Sequence, residues 1–337
     1  MPANYQPPFA ITSKIIRLIA DISERLGRMA ALRQEQDLRL RRINRIRTIQ
    51  GSLAIEGNTL SEEQITAILD GKRVIAPPKE VQEARNAIKV YEFFEQWRPA
   101  HEKHLLAAHQ TLMAGLIDDA GFYRQGNVGV MNGDVVVHMA PPANQVPRLM
   151  ADLLVWLETT DQHPLIASCV FHYEFEFIHP FADGNGRMGR LWQTLILSQW
   201  QPLLAQLPVE SMVFTHQSEY YQAINASTKT TNSAPFIEFM LQIIFESLAA
   251  NEEPTPQVNP QVTPQVRALI GELAKQEPLL REELQARLNL SDRKSFTERY
   301  LKPALSLDLI EMTVPAKPRS RLQRYRLTPA GRKLLDQ

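Results

Sequence analysis

The sequence predicts a mainly α-helical fold with one short β-hairpin inside it and a small α+β domain after it. Three observations carry that reading. Most long segments repeat apolar residues every three or four positions, the period of a helix with one buried face. Proline and glycine gather between those segments. Strand-like runs bounded by turn residues occur only around Asn132-Gly133 and after Ser306.

Taken in order, residues 14–56 place Ile15, Leu18, Ile19, Ile22 and Leu26, then Leu38, Ile43 and Ile46, at helical spacing among many arginines. They form an amphipathic helical arm within 1–79. Gly57-Asn58 breaks it, and Ser61-Glu62-Glu63-Gln64 has the capping-box pattern that starts another helix. A helical core is expected over 80–250, with helices across roughly 80–117 and at Pro164–Ile178, Arg187–Gln199, Glu219–Ala226 and Pro235–Ala249. Inside it, Val128, Gly129 and Val130 face Val135, Val136, Val137 and His138 across Asn132-Gly133, a hairpin signal. From 251 to 265 the unit x-Pro-Gln-Val recurs, which favours extended backbone and reads as a semi-rigid linker. Residues 266–337 then run helix, helix, helix, hairpin, with strands at Leu309–Val314 and Leu322–Leu327, the layout of a winged-helix domain.

Composition excludes several classes of function. The 37 basic and 37 acidic side chains balance to a formal net charge of +0, so no global field draws the chain to nucleic acid or anionic lipid. The single cysteine, Cys169, sits in an apolar run and leaves no disulfide framework or multi-cysteine metal site within one chain. No basic-then-apolar leader begins the sequence and no membrane-length apolar run interrupts it, so a cytoplasmic protein without a membrane partner is expected.

The segment with most chemistry is His179-Pro-Phe-Ala-Asp183-Gly-Asn-Gly-Arg187-Met-Gly-Arg190, between two apolar helices. Gly184 and Gly186 allow backbone turns in which successive amides form an anion-binding nest, at the N-terminus of the helix that follows. Arg187 and Arg190 lie one turn apart and can both reach a polyphosphate. Asp183 is a hard oxygen ligand beside the nest. His179 has a side chain that titrates near neutrality, as a general base needs.

This segment resembles the signature of the Fic family, His-x-Phe-x-Asp/Glu-Gly-Asn-Gly-Arg-x-x-Arg, at every specified position. Together with the helix ending Phe171-His172 to Ile178 and the hairpin, the resemblance covers roughly residues 80–250. It implies a helical Fic core that transfers AMP from ATP to a Ser, Thr or Tyr hydroxyl of a target protein. On that basis His179 takes the hydroxyl proton and Asp183 holds Mg²⁺. Gly184, Asn185, Gly186, Arg187, Met188, Gly189 and Arg190 bind ATP and its phosphates. The flap, Val128–Val130 and Val135–His138, pairs with target backbone, and Tyr221 and Asn225 contact the nucleotide. Upstream, Ser52-Leu-Ala-Ile-Glu56-Gly57 resembles the family's inhibitory helix, which implies that Glu56 restrains the enzyme.

Two alternatives stay open in the sequence. Some relatives of that family remove AMP instead of adding it. The winged-helix domain holds 15 Lys and Arg against 9 Asp and Glu over 266–337, and Arg293, Lys294 and Arg299 offer themselves to a DNA groove, although such domains also dock proteins. A homodimer is likewise open.

Overall fold

The computed structural model describes residues 5–32, 38–132, 135–252, 264–288, 290, 292–307, 309–314 and 323–334. They divide into two compact units, Met1–Glu253 and Pro254–Gln337. The mainly helical fold is as expected.

In the first unit α1 (Ser13–Leu32) buries Ile15, Leu18, Ile22 and Leu26 against the last helix of the unit. These are the positions its period marks, and each is worth about 1.5–3 kcal/mol relative to exposure. Next come α2 (Leu38–Ile55), α3 (Glu62–Leu69), α4 (Pro78–Glu92) and α5 (Glu102–Leu112). The capping box at Ser61 forms in full: Gln64 N–H donates to Ser61 Oγ over 3.3 Å, and Ser61 N–H to Gln64 Oε1 over 2.9 Å.

The hairpin consists of β1 (Gly129–Asn132) and β2 (Val135–Met139), antiparallel, with Gly129 opposite Met139 and Asn132 opposite Val135. A bulge after Val130 leaves Val137 without an opposite residue, and β1 runs on to Asn132, closer to the turn than its valines suggested. The expected turn residue Gly133 lies outside the described residues.

Helices α6 (Val146–Thr159), α7 (Pro164–Ile178), α8 (Asn185–Trp200), α9 (Val209–Thr215), α10 (Gln217–Thr230) and α11 (Ala234–Glu252) complete the unit. The pair α7 and α8 is the centre of the core, with Phe171, Phe175 and Trp192 wholly buried. α2 lies on α9 at backbone contact, since a Cβ on Gly51 would come within 2.5 Å of Ser211 N. That approach seats the C-terminal end of α2 over the start of α8.

The second unit has its own core, including Leu269, Leu273, Leu284 and Phe296. Its order is α12 (Pro264–Lys275), β3 (Leu279–Leu280), α13 (Arg281–Arg287), α14 (Arg293–Phe296) continued through a π turn into α15 (Lys302–Ser306), β4 (Ile310–Met312), β5 (Arg324–Leu327) and α16 (Pro329–Lys333). The strands pair antiparallel in the order β3-β5-β4. Most of the expected linker, 253–263, and the basic turn at 315–322 lie outside the described residues, as does the side chain of Lys294. Among the described residues no helix is long and apolar enough to cross a membrane.

Candidate active site

α7 ends at Ile178, and His179 follows in the left-handed region at φ 51°, ψ 61°, turning the chain sharply out of the helix. Burial pushes the His179 imidazole down from its ordinary value, as does Arg124, while the Glu176 carboxylate, the Glu176 main chain and Glu56 pull it back up. Its Nδ1 is buried, which leaves Nε2 as the nitrogen that a ligand can meet.

The loop beyond is pinned from three sides. The Asn185 side chain accepts from Phe181 N–H and donates to Phe181 O, both over 2.9 Å. His109 on α5 stacks on Phe181 with ring centroids 3.6 Å apart. Its Nδ1 accepts from Gly121 N–H over 2.9 Å, which leaves a proton on Nε2 to donate to Asp183 O over 3.0 Å. Burial holds the His109 imidazole down at about 4, so it serves as a neutral donor across the physiological range.

Gly184, at φ 83°, is the N-cap of α8 and supplies no side-chain cap, which leaves the first N–H groups of that helix without a capping side chain. Gly184 and Gly186 leave no room for side chains: a Cβ on the first would meet Met113 Sδ at 2.7 Å, and on the second Glu56 Oε1 at 2.5 Å. A carboxylate oxygen therefore already lies over the turn expected to take phosphate.

Glu56 reaches that position because α2 ends in a left-handed Gly57, with Gly57 N–H donating to Ala54 O and Asn58 N–H to Leu53 O. Arg190 meets the same helix end with Nε on Ser52 Oγ at 3.2 Å, and with Nη2 on Ser52 O at 3.0 Å and on Glu56 Oε1 at 2.7 Å. Burial alone would lower the Arg190 guanidinium, but the Glu56 carboxylate holds it above its ordinary value. Arg187 contacts Glu83 Oε1 at 3.4 Å and Asp183 Oδ1 at 3.3 Å, and Asn58 donates to Glu83 Oε2 over 2.9 Å.

His179, Gly184, Gly186, Arg190, Ser52 and Glu56 are thus brought together, with Asp183 and Arg187 on the same loop and helix. Tyr221 on α10 is within electrostatic reach of Glu56 and Arg190, and Asn225 lies one turn further along that helix. At three of the expected positions no side chain is available to a phosphate. The Asn185 side chain is committed to Phe181, Met188 is wholly buried in the core, and Gly189 abuts His172. Only main chain remains there, and the Met188 N–H already donates to Gly184 O over 3.0 Å. Neighbouring Tyr220 and His172 are core residues that bond each other at 3.1 Å.

Sequence reasoning missed Glu83, His109 and Arg124. For Glu83 and His109 the one signal was a polar residue among apolar positions: Glu83 beside Ala84, Ala87 and Val90, and His109 between Leu105 and Leu112. Asp183 Oδ1 accepts from Gly184 N–H over 2.6 Å while half of its side chain remains exposed. That suits a Mg²⁺ ion held by one carboxylate and by phosphate oxygens, and no cluster of three His, Cys, Asp or Glu among the described residues offers an all-protein cage.

Fold and site together define a helical core with an anion cradle at a helix N-terminus, a histidine at its edge and a two-stranded flap beside it. Two family models match: residues 99–197 fit the Fic/DOC family, and residues 264–328 fit the "Filamentation induced by cAMP protein Fic-like, C-terminal domain". The crystal structure of a Fic family protein from Desulfovibrio desulfuricans G20 is 53% identical, covers 96% of this chain and 99% of its own, and superposes with a TM-score of 0.74. The chain belongs to the Fic family. Fic-1 from C. elegans, 21% identical with a TM-score of 0.54 over 70% of each chain, shares the fold. Among curated proteins, protein adenylyltransferase fic-1 of Caenorhabditis briggsae is 28% identical over 250 residues, 68% of this chain and 45% of its own length. Protein adenylyltransferase Fic of Nematostella vectensis is 27% identical over 204 residues, 57% of this chain and 45% of its own. The chain thus spans a little under half the length of these curated relatives.

Proposed function

We propose that this chain transfers AMP from ATP to a hydroxyl side chain of a target protein, and that Glu56 restrains it. The observation that carries the reading is the Glu56 carboxylate itself, an anion lying against Gly186 and paired with Arg190. A site that holds one anion there suits the phosphates of a nucleotide once that anion leaves. The names of the adenylyltransferase relatives support ATP as the donor.

In the reaction the target hydroxyl oxygen attacks the α-phosphorus, its proton passes to His179, and the bond to the bridging oxygen breaks to release pyrophosphate. Gly184–Gly186 and the α8 N-terminus bind phosphate oxygens, and Arg187 and Arg190 offset the charge of the leaving group. Asp183 would hold Mg²⁺, which supplies charge neutralisation on the phosphates. The flap has no third strand beside it among the described residues, so its free edge can pair with an extended target segment. The Fic-like C-terminal unit selects or docks targets.

The test is incubation of the Glu56→Gly protein with ATP, Mg²⁺ and a lysate, followed by mass spectrometry for AMP on Ser, Thr or Tyr. Labelling should vanish with EDTA and with Asp183→Ala. Labelling that survives both removes the metal role, and loss of pre-existing AMP with no gain overturns transfer in favour of removal.

Glu83 should matter through Arg187. Glu83→Gln keeps a partner for Asn58 but removes the charge that aims the guanidinium, so kcat/KM for ATP should fall about tenfold. An unchanged value would reduce Glu83 to a packing residue.

A further inference from the structure

Arg124, in the segment between α5 and β1, is 3% exposed, yet every hydrogen bond of its side chain ends on a carbonyl oxygen. Nε donates to His179 O over 2.7 Å and Nη2 to Ile178 O over 3.3 Å. Those carbonyls close the C-terminal end of α7, where the last carbonyls lack helical partners and the dipole is negative. The remaining donors go elsewhere: Nη1 to Gly126 O at 2.8 Å and Nη2 to Pro141 O at 2.6 Å. Gly126 precedes β1 and Pro141 follows β2, so these are the two feet of the flap. Just inside them Ala140 N–H donates to Val128 O over 3.2 Å, closing the hairpin at its base. The Arg124 main chain adds a fifth tie, from its N–H to Pro180 O over 2.9 Å.

Only a planar guanidinium spans carbonyls on three segments at once; an ammonium is a point donor. His179 needs such a hold, because a residue with a side chain keeps a left-handed backbone only where its surroundings impose it. We propose that Arg124 is a positioning residue that ties both feet of the flap to the backbone of His179, so that a target strand laid on the flap presents its hydroxyl in register with the imidazole. This rests on the transferase reading. The guanidinium has a second effect on the base. Burial and the Arg124 charge lower the His179 imidazole, against Glu176 on its own helix and Glu56 from α2, which raise it. Removing the charge therefore raises the imidazole and moves the acid limb of the pH–rate profile to higher pH.

The test adds Arg124→Lys or Arg124→Ala to the full-length Glu56→Gly protein. Both should lower kcat about 10- to 100-fold, since charge-assisted hydrogen bonds are lost, while KM for ATP stays within about twofold. Added guanidinium ion should restore part of the activity of Arg124→Ala. The His179 imidazole, followed by NMR, should titrate at higher pH in Arg124→Ala and shift less in Arg124→Lys, which keeps a charge. Unchanged kcat in Arg124→Lys overturns the proposal even if Arg124→Ala does not fold. So does a loss of activity that guanidinium leaves unrestored and that comes with an unmoved imidazole titration, because that is the mark of a fold role alone. If the Glu56→Gly parent transfers no AMP, the transferase reading falls, and the imidazole titration by itself then decides whether Arg124 governs the base.

Discussion

His179→Ala is expected to lower AMP transfer by about 100- to 10,000-fold, the usual contribution of a positioned general base, while ATP still binds. The two effects separate because different parts of the chain carry them. The proposed phosphate cradle is made of main chain at the start of α8 and of two arginines, none of which depends on the imidazole. The turn out of α7 should survive as well, since Arg124 grips the main-chain oxygen of residue 179 and not its side chain. In the wild type the imidazole lies below its ordinary value, so its neutral, proton-accepting form persists to lower pH than in an exposed histidine. Transfer should then fall only on the acid side of neutrality, a limb that disappears from the residual activity of His179→Ala. Calorimetry with ATP and a rate assay check the pair; near-normal transfer would remove His179 from the role of base, and lost ATP binding would show that the ring supports the cradle.

What the sequence revealed of this site followed from locality. From His179 to Arg190 the chemistry is packed into one turn and the start of one helix, so glycine conformations, helix spacing and side-chain charge could be read without tertiary information. The capping box at Ser61 was legible for the same reason. Two α-helices of the first unit escaped. α6 buries Val146, Met150 and Leu153 at helical spacing but opens after Pro141-Pro142, which looks like loop, and α9 has only seven residues. The bulge after Val130 is a pairing feature, invisible in either strand alone. Likewise, nothing local tells that Asn185 will turn back to Phe181 and away from a phosphate, or that Glu83 will meet Arg187 across 104 residues. Glu56 was found because a family pattern marked it, whereas its contact with Arg190 spans 134 residues and needed the fold.

Glu56→Gly is expected to raise AMP transfer roughly 10- to 100-fold, the effect of removing a charge-assisted hydrogen bond worth about 1.5–3 kcal/mol from the resting state. Arg190 has two sets of partners to choose from. At rest its Nη2 is held between Ser52 O and Glu56 Oε1 at the end of α2, and the same carboxylate oxygen crowds Gly186. On the proposed reading a nucleotide phosphate takes both positions only after the carboxylate withdraws, so the ion pair and productive ATP binding would exclude one another. α2 cannot easily yield as a whole, because Gly51 is pressed on the Ser211 backbone and Ile49 and Leu53 are buried. The adjustable part is therefore the Glu56 side chain, a third of it exposed beyond the last turn of the helix. Glycine there leaves Ser52 to orient Arg190 but clears the cradle. Glu56→Gln separates charge from bulk: it should activate less, since an amide still fills the space but no longer pairs with the guanidinium as an anion. Arg190→Ala should lower transfer even when combined with Glu56→Gly, because the group that receives the phosphate is gone along with the inhibitor's partner. Measured AMP incorporation in these variants decides the scheme, and equal rates for wild type and Glu56→Gly would mean that the carboxylate does not restrain transfer.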